Sequence, residues 1–314
     1  MQQLSLTGIN ICELVSNHQL QEAWDLLLCK VDVRPQVPGQ ICYFDNKCWG
    51  DDPIQPDFEV SFAQTCTMLG RLYIASQFGD HRSLICMANG QPSPAITWTT
   101  GNLDHDIRAV IASADRFRNH LSEHLSFWVR LAIERKQRGT TNHPSQAEFS
   151  YSKPNIQPED KGPDGLYVEI APDYKLEIQS VKNSINNPKR LISSAQFRSK
   201  GIATPKKLLD DFWLLYHQSD GLRRMEDLLD RTMTPLHPNT TQQLRLGLIK
   251  TSSCNAIVVA DSRYACDDLF QGYDYVTPEI AKRIATYIGA INWRTLAAGT
   301  NKVVIRILQD QGIL

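Results

Sequence analysis

The chain has 314 residues, 42% of them apolar, enough to bury a substantial core and too many for an intrinsically disordered protein. Its formal net charge is -1 and its pI about 6.7, so no overall basic field draws it to a polyanion, although a compact site can still be locally basic. The eight cysteines, at 12, 29, 42, 48, 66, 86, 254 and 266, are too sparse for a disulfide scaffold, and Cys42 and Cys48 match no closed zinc-binding pair. No stretch approaches the roughly 20 apolar residues of a spanning helix and no basic leader opens the sequence, so a cytoplasmic chain without membrane contact is expected.

Residues 8 to 30 predict a helix, with Ile11, Leu14, Leu20, Trp24, Leu27 and Leu28 forming an irregular apolar stripe. Residues 33 to 57 are rich in turn formers. A second helix is expected over 62 to 78, and short strands over 83 to 87 and 95 to 98. The heavily apolar stretch from 104 to 138 predicts a long helix, interrupted near His120. His120 and His124 stand one turn apart and could contact a common partner, but without a third ligand they read as ordinary surface or hydrogen-bonded histidines. Residues 139 to 163 are polar and turn-rich and mark an internal boundary or loop.

The stretch DGLYVEIAPDYKLEIQSVK, from Asp164 to Lys182, carries the functional signal. Leu166, Val168 and Ile170 alternate with Tyr167 and Glu169, the period of a half-buried strand, and the following Ala-Pro-Asp-Tyr turns the chain. Leu176, Ile178 and Val181 form a second run, with Glu177 and Gln179 sharing its other face. A hairpin across Pro172 therefore carries Asp164 toward Glu177 and Gln179. Two carboxylates beside an amide oxygen form a hard-oxygen set suited to Mg²⁺.

From Lys182 through Lys207 there are basic residues at 182, 189, 190, 198, 200, 206 and 207 and no acid, the strongest local charge bias in the chain. Beyond it, helices are predicted from Pro205, over 222 to 230 and over 241 to 250. A buried strand is predicted over 256 to 260, loop or short helix over 262 to 275, a helix over 278 to 288 capped by Thr277, and a terminal strand over 303 to 308. This order suits an α/β or α+β chain with a mixed central sheet flanked by helices. It divides into a mostly helical region, 1–100, which can carry specificity or dimer contacts, and a core, 101–314.

Asp164 followed after a turn by Glu177-Ile178-Gln179 resembles the motif of the restriction-endonuclease-like nucleases, the PD-(D/E)XK superfamily, in a Glu-X-Gln variant. The resemblance covers residues 104 to 270. It implies that Asp164 and Glu177 are the carboxylates holding Mg²⁺ and that Gln179 occupies the usual lysine position, orienting water through its amide oxygen. Glu134, with Glu123 as the alternative, takes the part of the acid supplied by the first core helix, and Lys182 or Lys175 adds positive charge. The resemblance further implies hydrolysis of double-stranded DNA at a short sequence, in the manner of a type II restriction endonuclease of a restriction-modification system. Such an enzyme acts as a homodimer, with a separate DNA methyltransferase acting on the same site. Lys182, Lys189, Arg190, Arg198 and Lys200 would then meet phosphates, while Asn183, Asn187 and Gln196 offer donors and acceptors to base edges. The competing readings are a nuclease fold without activity, a repair or RNA-processing nuclease, and a solvated hairpin edge.

Overall fold

The computed structural model describes residues 14–35, 40–44, 56–88, 90, 95–98, 105–138, 149–151, 165–169, 175–186, 188, 253–264, 282–290 and 292–314. The helices predicted between 205 and 250 lie outside them. Helix α1 (Asn17–Lys30) starts at Ser16, where the Ser16 side chain and Gln19 satisfy each other's backbone N–H groups in a capping box. Two strands follow, β1 (Val31–Pro35) and β2 (Gln40–Phe44), within the stretch expected to be turn-rich. Helices α2 (Pro56–Phe78), α3 (His81–Ala88), α4 (His105–Ala112) and α5 (Ala114–Arg138) come next. The expected break in the long helix falls at Ser113, ahead of His120.

Strands β3 (Phe149–Tyr151), β4 (Gly165–Glu169), β5 (Lys175–Ser184), β6 (Ser253–Asp261) and β7 (Lys282–Ala290) follow, and α6 (Trp293–Asp310) ends the order. The strands form one sheet in the order β1-β2-β7-β6-β5-β4-β3. Pairing is antiparallel for β1 with β2, β3 with β4 and β4 with β5, and parallel across β5, β6, β7 and β2. The architecture is thus α/β with a mixed sheet. Strands β1 and β2 join this sheet, and α1 and α2 share the apolar core of α5 and α6.

Four elements differ from the sequence expectation. Residues 83 to 87 are helical, within α3, where Leu84 and Ile85 are buried beside the rest of the helical core. The stretch expected to form a helix at 278–288 contains most of β7, whose Ile284, Thr286, Tyr287 and Ile288 suit a strand paired on both sides. The expected terminal strand is the second half of α6. There Trp293, Leu296, Ala297, Thr300, Val304 and Leu308 are buried at helical spacing, and this periodicity outweighs the β-branched run Val303-Val304-Ile305. The expected strand at 95–98 reduces to an isolated bridge between Gly79 and Trp98.

Helices α1, α5 and α6 pack against the sheet and α2 packs on these helices, and Val181, Ile257, Val259, Ile288 and Ala290 join their core. The alternate residues Val258, Ala260 and Tyr287 are also buried, so the central parallel strands are covered on both faces. Helices α2 and α6 approach closely through glycine. A Cβ on Gly70 would come within 2.7 Å of Val303 Cγ1, and one on Gly299 within 2.6 Å of Cys66 Sγ. Among the described residues no helix is long and apolar enough to cross a membrane.

His120 and His124 lie inside the helical layer and join α5 to α2. Tyr73 Oη is 2.8 Å from His120 Nδ1, Ser76 Oγ is 2.6 Å from His124 Nδ1, and the two imidazoles meet edge to face at 4.6 Å. Burial pushes the His120 pKa down to about 4. Because the folded value lies below the unfolded one, the stabilisation is complete above pH ~6.5 and is lost as pH falls toward 4. Equilibrium unfolding between pH 7 and 4 should therefore show a fall in stability, of which His120 contributes about 3 kcal/mol. A His120→Gln variant should show a correspondingly shallower slope; an unchanged slope would assign the titration elsewhere.

Candidate functional site

The hairpin read from the sequence is formed by β4 and β5. Its register sets Gly165 opposite Gln179, Leu166 opposite Ile178 and Tyr167 opposite Glu177. Asp164 lies outside the described residues, immediately before Gly165. For Glu177 and Lys175 the backbone position alone is described: both stand in β5 at the strand parity of Gln179, and Glu177 also pairs with Ser253 of β6.

Gln179 is fully buried. Its partner across the parallel β5–β6 pairing is Asn255, itself 2% exposed. On the far side of β6, Thr286 of β7 is equally buried, and its hydroxyl donates to Asn255 Oδ1 over 3.0 Å. Residues paired in register project to the same face, and Ile257, two residues beyond Asn255, pairs with Thr286. The three polar side chains therefore form a row across β5, β6 and β7. The row continues on β5 with Val181, which joins the helical core, so it lies on the helix-bearing face.

Two residues beyond Val181, Asn183 fixes β5 to helix α5. Its Oδ1 accepts from Arg118 Nε at 3.1 Å and its Nδ2 donates to Asn119 Oδ1 at 2.6 Å. Arg118 is held in turn by Asp115 at 2.9 Å. Asn183 thus spends its amide on the scaffold, which opposes a role in reading base edges.

Lys182 alternates to the opposite face of β5 from Gln179, and its ammonium donates to the Val181 carbonyl at 3.0 Å. The structure does not bring it beside Gln179. Glu134 is mostly buried and accepts from Arg130 Nη1 at 2.6 Å within α5. Two residues later Lys136 donates to the Val31 carbonyl, which anchors that end of the helix at β1, four strands from β5 in the sheet order. Glu123, the alternative, stands one turn beyond Asn119, which bonds Asn183 of β5. Of the proposed DNA contacts, Asn187, Lys189, Arg190, Gln196, Arg198 and Lys200 lie outside the described residues.

Among the described residues no three His, Cys, Asp or Glu side chains come close enough together to hold a metal. What the described part of the site offers is neutral oxygen chemistry: the amides of Gln179 and Asn255 and the hydroxyl of Thr286. Asp164 and Glu177, the carboxylates expected to hold Mg²⁺, are not among the side chains described. Sequence reasoning missed Asn255 and Thr286. Asn255 stands one residue outside the predicted strand, and Thr286 fell in a predicted helix; their juxtaposition depends on strand order, which no local pattern encodes.

Asn183→Ala should destabilise the protein by about 1–3 kcal/mol, because it leaves partly buried donors and acceptors on α5 without their partner. Lys182→Ala should change stability by less than about 0.5 kcal/mol. Urea unfolding of the two variants beside the wild type measures both, and equal losses would show that the clamp on β5 is not specific to Asn183. No family model matches the chain, and no curated protein matches it significantly, so the reading of this site rests on its own residues.

Proposed function

We propose that the protein is a Mg²⁺-dependent endonuclease hydrolysing phosphodiester bonds of double-stranded DNA at a short specific sequence. The observation that carries this reading is the order of elements around β5. The long helix α5 precedes three strands, the second and third of which, β4 and β5, form an antiparallel hairpin; β5 then pairs in parallel with β6. We read the motif onto this frame by its resemblance to the restriction-endonuclease-like nucleases. Asp164 directly precedes the second strand, and Glu177 and Gln179 stand on the third.

In this reading Asp164 and Glu177 hold the ion, which when bound supplies the Lewis acidity for phosphodiester hydrolysis. Gln179 is neutral and brings no positive charge; its carbonyl oxygen orients the attacking water. The acid-free basic segment after β5 draws the duplex in by its phosphates, and a homodimer matches the two-fold symmetry of a palindromic site. Such an enzyme works in the cytoplasm, opposite a methyltransferase that marks the same sequence.

A second reading is a nuclease-like fold that binds DNA or a protein partner without cutting. One observation favours it: Gln179 has no exposed surface and stands next to a neutral row of side chains.

Incubation with long unmethylated duplex DNA in Mg²⁺ separates the two. The nuclease reading expects discrete fragments that vanish with EDTA and a cleavage rate about a thousandfold lower for Asp164→Ala. Failure of the folded wild type to cut duplex, single-stranded DNA or RNA with any of several divalent metals overturns it in favour of the second.

A further inference from the structure

The motif combines two carboxylates, Asp164 and Glu177, with a neutral Gln179, and the lysines closest to it in sequence do not offset them. Lys182 stands on the opposite face of β5, with its ammonium on the Val181 carbonyl. Lys175 shares the strand parity of Glu177, but the β4–β5 register sets it directly opposite Glu169, a cross-strand acid of its own. The missing charge has to be sought across the sheet rather than along β5.

The parallel pairings set Glu177 opposite Ser253 of β6, and Ser253 opposite Lys282 of β7. Residues paired in register share a face of the sheet, so Glu177, Ser253 and Lys282 form one row, next to the row of Gln179, Asn255 and Ile284. With neighbouring strands about 4.8 Å apart, the Cα atoms of Glu177 and Lys282 are separated by about 10 Å. The position between them holds a serine, a small side chain, and a lysine carries its ammonium on a flexible four-carbon stem. That spacing is within the combined reach of a glutamate and a lysine.

Composition sets Lys282 apart as well. From Ile280 through Gln309 the sequence has five basic residues, Lys282, Arg283, Arg294, Lys302 and Arg306, and no acid. Within β7 the charged residues are confined to the first two positions, and Arg283 alternates to the other face from Lys282. Along the whole row, through Tyr151, Tyr167, Glu177, Ser253 and Lys282, Glu177 is the single acid and Lys282 the single cation. Resting on the nuclease reading above, we infer that Lys282 is the charge partner of Glu177 and supplies, from two strands away, the positive charge that the Glu-X-Gln motif lacks. A cation at this place lowers the net negative charge that an incoming phosphodiester meets. It also opposes a divalent ion held by the same carboxylates. Its removal therefore acts in opposite directions on two steps: the metal is held more tightly and the phosphodiester is cleaved more slowly.

The test measures metal binding and cleavage separately. Mg²⁺ is titrated by calorimetry into the protein without DNA, the site being identified by loss of the binding heat in Asp164→Ala. Steady-state cleavage of duplex DNA and thermal unfolding are followed alongside. The inference expects Lys282→Met to tighten Mg²⁺ binding about tenfold and to lower kcat/KM about tenfold at saturating Mg²⁺. Lys282→Arg, which keeps the charge, should restore both. Arg283→Met removes the same charge from the opposite face and should change each by less than about twofold. If Lys282→Met does not fold, Lys282→Gln, neutral but polar, takes its place.

Unchanged Mg²⁺ affinity in a folded Lys282→Met protein overturns the inference and leaves Lys282 a solvated strand end, while cleavage by the wild type upholds the nuclease reading. Weaker Mg²⁺ binding overturns it as well, and so does tighter binding with unchanged kcat/KM. Equal effects of Lys282→Met and Arg283→Met overturn it in favour of a general loss of charge. If the wild type cuts no nucleic acid, the nuclease reading has failed, and the role of Lys282 in that reaction fails with it.

Discussion

The constraint on which the rest depends is the burial of parallel strands on both faces. Strands β5, β6 and β7 have no edge and no wet side over Val181, Ile257 to Ala260 and Thr286 to Ala290, so a polar group there must find its partner inside the protein. Most of the positions meet that demand by being aliphatic. Asn255 and Thr286 meet it through the bond between them, with Gln179 beside Asn255 in register. A sheet that tolerates three polar residues in one row, where Val or Leu would serve the fold better, departs from local consistency in the way functional sites commonly do.

The helices convert this sheet into a fixed platform. Helix α5 touches it at two separated points, through Arg118 and Asn119 to Asn183 on β5 and through Lys136 to Val31 on β1. Between these points the helix is locked to α2 by the bonds of Tyr73 and Ser76 to the two histidines and by Trp128, whose indole N–H donates to the Leu72 carbonyl at 3.0 Å. Because these partners are buried, the helix cannot slide without leaving polar groups exposed to an apolar interior. The end of β5, and with it the start of the basic segment, inherits that rigidity.

The sequence made some of this legible and not the rest, for physical reasons that differ by element. The β4–β5 hairpin was readable because alternation at Leu166, Val168 and Leu176, Ile178 is a local property with a turn between. Helices α2 and α5 were readable because they are long and apolar. Short apolar stretches were not: Leu84-Ile85 and Val303-Val304-Ile305 satisfy strand preferences as individual residues, yet they are helical because of what they pack against. The same limit hid β7. The candidate site divides along this line, for Gln179 was visible in its own strand, while Asn255 and Thr286 become its neighbours only through parallel pairings between residues 76 and 31 positions apart.

Burial also bears on why the motif carries glutamine. A lysine at a position with no exposed surface must leave water as a cation, and it stays charged only if carboxylates lie close enough to offset that cost. A glutamine avoids the penalty but gives up the attraction. In the proposed site, then, Asp164 and Glu177 receive no neutralising charge from position 179, and Lys182 on the opposite face supplies none. In that reading the relief of their mutual repulsion falls more heavily on the cation than it would beside a lysine at position 179.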